Sequence, residues 1–199
     1  LFGSEERLAT FDIDASKSKG LDSGFVRARH IDVRPDRVLA DELVELRFED
    51  PEYSAQIDCS WFELRLLEER VAGQPTPFEF EARGVERAVV EGNEIDTTFL
   101  AETVSGTGTL TELADGGTEL VLDSVSAAGD VTMSYDGGGG RFTASGGTLR
   151  WAPGGVARLE ALAGERVEAR GRFSEEGLPY VLTATWIEYG SQDIQALFP

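Results

Sequence analysis

The chain is poor in the residues on which most metal sites and many active sites depend. Its 199 residues include one cysteine, Cys59, and one histidine, His30. A disulfide within the chain needs two cysteines, and zinc sites built from several cysteines or histidines need more of these residues than are present. We therefore expect no metal site. Cys59 stands in the apolar context AQIDCSW, which is typical of a buried, inert thiol.

Positive charge is also scarce. Asp and Glu number 37 against 18 Lys and Arg, which gives a net charge of −19, and the lysines are Lys17 and Lys19. Nucleic-acid binding requires a basic face that neutralises phosphates, so nucleic acid is a poor partner. A large acidic excess keeps a protein soluble and is also used by halophiles.

One segment departs from this acidity. Residues 141–172 contain six arginines and three acids, a net charge of +3. Such a segment could form a positive patch for lipid or sugar phosphates. Alternatively, its arginines lie on strand faces and pair with nearby carboxylates, and this second interpretation is the one we favour.

Long apolar runs are absent. No run approaches the ~18 consecutive apolar residues that indicate a transmembrane helix, so we expect that the chain does not span a bilayer. The chain starts at Leu1, and no charged segment followed by an apolar one precedes the first alternating residues. A signal or anchor segment would therefore lie outside this sequence.

Recognisable catalytic motifs are missing too. A Ser-His-Asp or Cys-His arrangement would depend on His30 alone. The glycine run 137–140 lacks the lysine and the following helix of a phosphate-binding loop. Pairs of carboxylates carry little information in so acidic a chain. We therefore predict no catalytic residue, no cofactor and no enzymatic activity.

What the chain does contain is a succession of short alternating segments separated by Gly, Asp and Pro turns. Strands at this spacing indicate an all-β fold of the sandwich, jelly-roll or open-barrel type, with at most one or two short helices. Residues 60–72 are ambiguous: Ser60 to Glu63 fits a helix capping box, whereas Phe62 and Leu64 alternate as in a strand. The predicted strands are residues 25–33, 38–48, 78–82, 85–90, 95–101, 107–113, 119–125, 131–135, 141–144, 149–151, 156–162, 167–173 and 180–189.

A short motif occurs twice in the last third of the chain. FTASGGTLRW contains Ala144 and LTATWIEY contains Ala184, 40 positions later. Fainter copies are RARHIDV at 27–33 and FLAETV at 99–104. Repeats of this period usually form one supersecondary unit stacked on its copies. We predict a single elongated domain over residues 1–199, with its clearest repeats at 129–164 and 165–190.

These segments, together with Ala161-Leu162-Ala163-Gly164, resemble the OstA-like repeat of the LptA and LptC families of lipopolysaccharide-transport proteins. The resemblance implies an open, elongated, antiparallel β-jelly roll. It also implies a non-enzymatic periplasmic bridge module that carries lipopolysaccharide acyl chains in an apolar groove and joins other modules or membrane-complex subunits through edge strands. No cofactor is implied. The chain departs from the family in its acidity and in its first half.

Apolar side chains alternate with polar ones along the predicted strands, so each strand has one apolar face. This face is either a sealed core or the lining of a lipid groove, because both produce the same pattern. The alternative function is accordingly a structural or interaction β-module, an accessory subunit of a larger complex. The groove candidates are Val131, Met133, Tyr135, Phe142, Ala144, Leu149, Trp151, Val167, Ala169 and Phe173.

The segment 180–189 is the last predicted full strand, so it is expected to lie at an edge of the sheet. An edge strand leaves one row of backbone N–H and C=O groups unpaired. Its residues favour strands, and only Glu188 is charged. We predict that it pairs with another module by strand addition, through Val181, Thr183, Thr185, Ile187 and Tyr189.

Overall fold

The protein folds as one antiparallel sheet. The computed structural model describes residues 8–13, 23–49, 53–71, 73–92, 95–112, 118–137, 140–151, 156–172, 178–189 and 194–197. Within these ranges the regular secondary structure is strand, joined by short turns and bends and without a helix, which confirms the predicted all-β fold. The strands are β1 (Ala9–Ile13), β2 (Ser23–Ala28), β3 (His30–Arg34), β4 (Arg37–Glu49), β5 (Tyr53–Leu66), β6 (Pro75–Gly92), β7 (Ile95–Glu112), β8 (Thr118–Gly137), β9 (Gly140–Trp151), β10 (Ala157–Glu160), β11 (Val167–Arg172), β12 (Pro179–Ala184), β13 (Trp186–Tyr189) and β14 (Ile194–Leu197).

The strands follow one another across the sheet in chain order. The main path is β1-β2-β4-β5-β6-β7-β8-β9-β10-β13-β14, while β3 pairs with β4 and β11 joins β9 to β12. Every pairing is antiparallel between strands that are close in sequence, so the fold is an up-and-down meander. The sheet is not closed into a barrel.

A line of bulges crosses the sheet. The register shifts between Asp41 and Val44 in β4, and further shifts follow at 58–61 in β5, 85–88 in β6, 100–103 in β7 and 128–131 in β8. Extra residues in a strand bend it and increase its twist. Because the bulges of neighbouring strands lie side by side, the whole sheet bends along one line, which we call the bend line.

Backbone conformation marks the same line. Three non-glycine residues have positive φ, namely Glu42 (60°), Leu43 (55°) and Asp130 (46°), and Gly84 (59°) and Gly129 (81°) join them. All five lie in the bulges. The left-handed region is costly for residues with a Cβ atom, so positive φ at these positions is a local cost of bending the sheet.

The bend line divides the sheet into two parts. Half-sheet A comprises residues 9–13, 23–28, 44–49, 53–58, 88–92, 95–100, 131–137, 140–146, 167–172 and 179–184. Half-sheet B comprises residues 30–34, 37–41, 61–66, 75–83, 103–112, 118–128, 148–151, 157–160, 186–189 and 194–197. Buried residues of both parts form one cluster. Since the described chain is almost all strand, the two half-sheets cover each other's apolar faces, as strands that turn a corner at a bulge do in sandwiches.

The bend explains the alanine of the sequence motif. Ala28, Ala101, Ala144 and Ala184 are all buried, with exposed fractions of 0–8%. Each lies within three residues of the bend line, on the face that turns inward. The interior is narrowest where the half-sheets meet, and a small side chain fits there without forcing them apart.

Two details differ from the sequence-based expectations. Several segments predicted as separate short strands are halves of long bent ones; residues 119–125 and 131–135, for example, both belong to β8. Gly129, which begins the predicted repeat 129–164, lies in a bulge of β8 and bends this strand without reversing it. The ambiguous segment 60–72 is strand as far as Leu66, with no helix in its described residues. Ser60 does not cap a helix, because its hydroxyl donates to the carbonyl oxygen of Arg83 at 2.9 Å.

Candidate functional site

An uninterrupted row of apolar side chains crosses half-sheet A. Each residue is the direct cross-strand partner of the next, so their side chains line the same face. We call this the first apolar row: Phe11, Val26, Leu46, Ile57, Ala88, Phe99, Met133, Ala144, Ala169 and Leu182. Ten strands spaced about 4.8 Å apart make the row about 43 Å long.

A second apolar row crosses half-sheet B in the same manner. It consists of Ile31, Ala40, Phe62, Ala82, Val104, Ala127, Leu149, Leu159 and Ile187. Both rows belong to the same apolar cluster or pack against it. The interior is therefore a continuous apolar layer that extends across nearly all the strands of the meander.

The groove candidates chosen from the sequence fall into this interior. Met133, Ala144 and Ala169 belong to the first apolar row, and Leu149 belongs to the second. Val131, Tyr135 and Val167 are buried as well, whereas Trp151 is half-buried at the margin of the cluster. The backbone of Phe142 lies in β9 opposite Tyr135, but its side chain and all of Phe173 lie outside the described residues.

About half of the two apolar rows comes from the first half of the chain, where the sequence had suggested no groove residue. Val26, Leu46, Phe62 and Ala88 precede the region of clear repeats, yet they continue the same two rows. Their signal was present as apolar alternation in residues 25–33 and 38–48. In β5 the bulge hid the signal, because its single extra residue moves the inward positions from Ile57 and Cys59 to Phe62 and Leu64.

The side chains of the interior are packed against one another. Val131, Met133, Val167 and Leu159 are each at most 2% exposed. A side chain so completely covered can reach a ligand only if the two half-sheets separate. The bend line is the part of the fold about which such separation would occur.

The outer face of the sheet is polar and rich in ion pairs, some between neighbouring strands and some within one strand. Arg65 lies 2.7 Å from Glu79, and Arg170 lies 2.6 Å from Glu168. Arg158 lies 2.8 Å from Glu160 and also contacts Glu188 at 3.3 Å. Two of the arginines in the basic segment 141–172 are thus paired with carboxylates, as the favoured interpretation of that segment predicts.

A polar depression of about 280 Å³ lies over half-sheet B. Its wall combines charged side chains of β5 and β6 with small hydroxyl side chains of β7 and β8, including Thr107 and Ser124, whose hydroxyl oxygens are 3.0 Å apart. The charged and hydroxyl-bearing positions alternate with the inward residues, so the depression is largely an outer-face feature. Its polar lining does not suit an acyl chain.

The two ends of the meander leave strand edges. In the described part of the chain, β12 pairs with β11 alone, so its other side is open. Val181 and Thr183 lie in this edge strand, and the Val181 side chain is 65% exposed. Ile187 and Tyr189 lie instead in β13, which pairs with β10 on one side and β14 on the other.

Thr185 separates the two strands. Its carbonyl oxygen accepts a hydrogen bond from the Ala161 N–H at 3.0 Å. The open edge is therefore shorter than the segment 180–189 that the sequence indicated. It ends at the bend, because the four-residue strand β14 covers β13.

Cys59 lies inside the fold at the bend of β5. It is 6% exposed, and burial raises the pKa of its thiol to about 12, with a smaller contribution from the charge of Asp58. A backbone hydrogen bond involving Trp61 acts in the opposite direction. The thiolate is the reactive form of cysteine, so this thiol is inert at neutral pH.

One mixed group of metal-binding side chains is present in the described ranges. His30, Asp41 and Glu42 each offer one donor atom, and these atoms lie within 4.8 Å of one another. All three are exposed on the outer face at the bend line.

Comparison of the chain with protein-family models, with curated proteins and with solved structures found no match. In the described ranges there is no helix with the length and hydropathy of a membrane span.

Proposed function

We propose that this protein is a non-enzymatic lipid-binding module of the cell envelope, which holds acyl chains between its two half-sheets. The observation that carries this proposal is the pair of apolar rows that face one interior across almost every strand. A globular core is usually compact, whereas this one is a layer about 43 Å long. An acyl chain is a linear apolar ligand, and a linear apolar interior matches it in shape.

An acyl chain can enter the apolar interior only if the two half-sheets separate. Acyl chains would replace the contacts that the two rows now make with each other, so the apolar area removed from water would change little. The free-energy cost of opening would then be small once lipid is present, because buried apolar surface contributes about 25 cal/mol per Å² whichever apolar partner covers it. Lipid binding and opening would be coupled in this way.

A matched pair of photo-crosslinkers tests the proposal. Leu149 faces the interior at 6% exposure, and its neighbour Arg150 faces outward. A crosslinking amino acid at 149 should capture lipid in cells that carry lipopolysaccharide, and the same amino acid at 150 should not. Mass spectrometry of the adducts identifies the lipid. Crosslinks from position 149 that join only protein segments would exclude the lipid-binding function.

A second candidate function is favoured by the open edge of β12. We propose that this edge pairs with a strand of another module or of a membrane-complex subunit. Soluble proteins usually protect such an edge with charge, proline or a bulge. Here β12 bears no charged residue, Pro179 stands only at its start, and Leu178 and Val181 are 85% and 65% exposed.

Proline substitution distinguishes an edge with a partner from one without. The N–H groups of Val181 and Leu182 point to opposite sides of β12, because alternate residues of a strand bond to opposite neighbours. Proline at one position should abolish assembly and leave the fold intact, and proline at the other should weaken pairing with β11. Light scattering and thermal melting measure the two effects. Assembly that is unchanged in both variants would refute the proposal.

The proposed location is the periplasm. It is supported by the sequence resemblance to lipopolysaccharide-transport proteins. Fractionation of cells that express the full-length protein tests it, and recovery in the cytoplasmic fraction would contradict it.

A further inference from the structure

A compact group of donor atoms lies on the outer face, separate from the apolar interior. His30 begins β3 and is the direct cross-strand partner of Asp41 in β4. Glu42 follows Asp41 in the bulge, with φ of 60°. One imidazole nitrogen and two carboxylate oxygens lie within 4.8 Å of one another, and all three side chains are exposed.

Backbone contacts fix the positions from which these side chains start. The Arg29 N–H donates to the Glu42 carbonyl oxygen at 2.9 Å, which joins the bend between β2 and β3 to the bulge of β4. The Glu42 N–H donates to Oδ1 of Asp41 at 3.0 Å. The β3–β4 register then places His30 opposite Asp41. The three donors therefore start from hydrogen-bonded strand and bulge positions of the sheet rather than from a loop.

We propose that His30, Asp41 and Glu42 bind a divalent transition-metal ion, with Zn²⁺ as the best-fitting example. Zn²⁺ bonds to histidine nitrogen and carboxylate oxygen at about 2.0–2.2 Å, which puts tetrahedral donors roughly 3.4 Å apart. Donor atoms already within 4.8 Å reach that separation by small side-chain rotations. Three protein ligands leave a fourth position for water.

The donor set also selects among metal ions. Ca²⁺ and Mg²⁺ prefer six or more oxygen ligands, and an imidazole takes the place of one here. Imidazole suits zinc and the later first-row ions. One cation already competes for the site, because Nη1 of Arg29 donates to Oε2 of Glu42. A bound ion would share this carboxylate with the guanidinium group, so binding should be of moderate strength.

The imidazole of His30 can serve as a spectroscopic probe of this site. His30 is its one histidine, so the imidazole region of a proton NMR spectrum reports on this position alone. We expect ZnCl₂ to shift or broaden these signals until one ion per chain is bound. Isothermal titration calorimetry in physiological salt gives the affinity, with millimolar CaCl₂ present to occupy nonspecific acidic positions.

Three variants complete the test. His30→Ala and Asp41→Asn should each weaken zinc binding by about tenfold or more, a loss typical of changes at metal sites. Asp32→Asn is the matched control, because Asp32 lies in β3 two residues from His30, faces the same side as His30 and carries the same charge as Asp41, but its carboxylate contacts Arg34 and Arg37. Its affinity should stay near that of the unmodified protein.

Two results would overturn the proposal. If imidazole signals do not respond at saturating zinc, the ion is not bound through His30. If Asp32→Asn weakens binding as much as Asp41→Asn, the ion is held by the general negative charge of the chain. These outcomes are independent of lipid binding, since the metal site and the apolar interior lie on opposite faces of the sheet.

Discussion

The contact between Phe78 and Gly108 gives the sharpest stability prediction. The two residues are cross-strand partners in β6 and β7, and Phe78 is 1% exposed. A Cβ atom added to Gly108 would lie 2.6 Å from Cζ of Phe78 and 2.3 Å from the carbonyl oxygen of Val121. Both distances are far below van der Waals contact. We therefore expect that alanine cannot be accommodated at position 108 without movement of the backbone.

The magnitude follows from the nature of these obstacles. Overpacking a well-packed core usually costs about 1–3 kcal/mol. Gly108→Ala should fall at or above the upper end, because one obstacle is a backbone atom of β8 and the other is a fully buried ring. A loss of about 3 kcal/mol corresponds to a decrease in Tm of roughly 6–12 °C for a chain of this size.

Gly164→Ala is the control. Gly164 has φ of 85°, and an added Cβ would meet nothing within 4 Å. This variant should lose only the cost of the left-handed conformation, about 1–2 kcal/mol. Urea unfolding followed by circular dichroism gives both free energies. If Gly108→Ala is no less stable than Gly164→Ala, the packing of β6 against β7 is not as described.

Three further predictions concern single side chains. Leu159→Ala should destabilise the fold by about 2–5 kcal/mol in urea unfolding, because the side chain is 1% exposed in the second apolar row; a loss below that range would mean that the row is not packed. Leu43→Gly should raise the unfolding free energy by roughly 1 kcal/mol, since Leu43 is 60% exposed with φ of 55° and glycine relieves that strain; no gain in thermal melting would contradict this. The thiol of Cys59, with its pKa raised to about 12, stays protonated in the folded state, while the unfolded thiol ionises above its ordinary pKa of 9.0. Its contribution to stability is therefore complete below pH 9.0 and declines as pH rises towards 12, by at most about 1.4 kcal/mol per pH unit. The difference in unfolding free energy between the protein and Cys59→Ala, measured across this range, should fall accordingly, and a constant difference would refute the pKa assignment.

The strand content of the fold could be predicted from the sequence, but strand length could not. Alternation at 131–135 and 149–151 correctly indicated strands. The glycines between such segments did not show whether the chain reverses or only bends there, because glycine supplies positive φ in hairpin turns as well as in bulges. Only pairing across the sheet distinguishes the two, and pairing is not a local property of the sequence.

The candidate site could be predicted only in part from the sequence, for a similar reason. The inward positions of β8, β9 and β11 followed from simple alternation after the last bulge. In β5 the inward positions change parity at the bulge, from Ile57 and Cys59 to Phe62 and Leu64, so simple alternation does not connect them. The group of His30, Asp41 and Glu42 had no sequence signal, because it forms only where the bulge of β4 meets the start of β3.

Measuring the distance between the two half-sheets tests whether the sheet is folded at the bend line and whether it opens when it binds lipid. In a Cys59→Ala background, spin labels at Val121 and Ser134 would mark the two arms of β8, on either side of Gly129. A straight strand would separate these positions by about 43 Å, at about 3.3 Å per residue. The folded sheet predicts roughly 25 Å between the labels, since its layers pack about 10 Å apart and the labels project outward. Addition of purified lipopolysaccharide should lengthen this distance as the half-sheets part. A distance near 43 Å without lipid, or a short distance that saturating lipid leaves unchanged, would contradict the account.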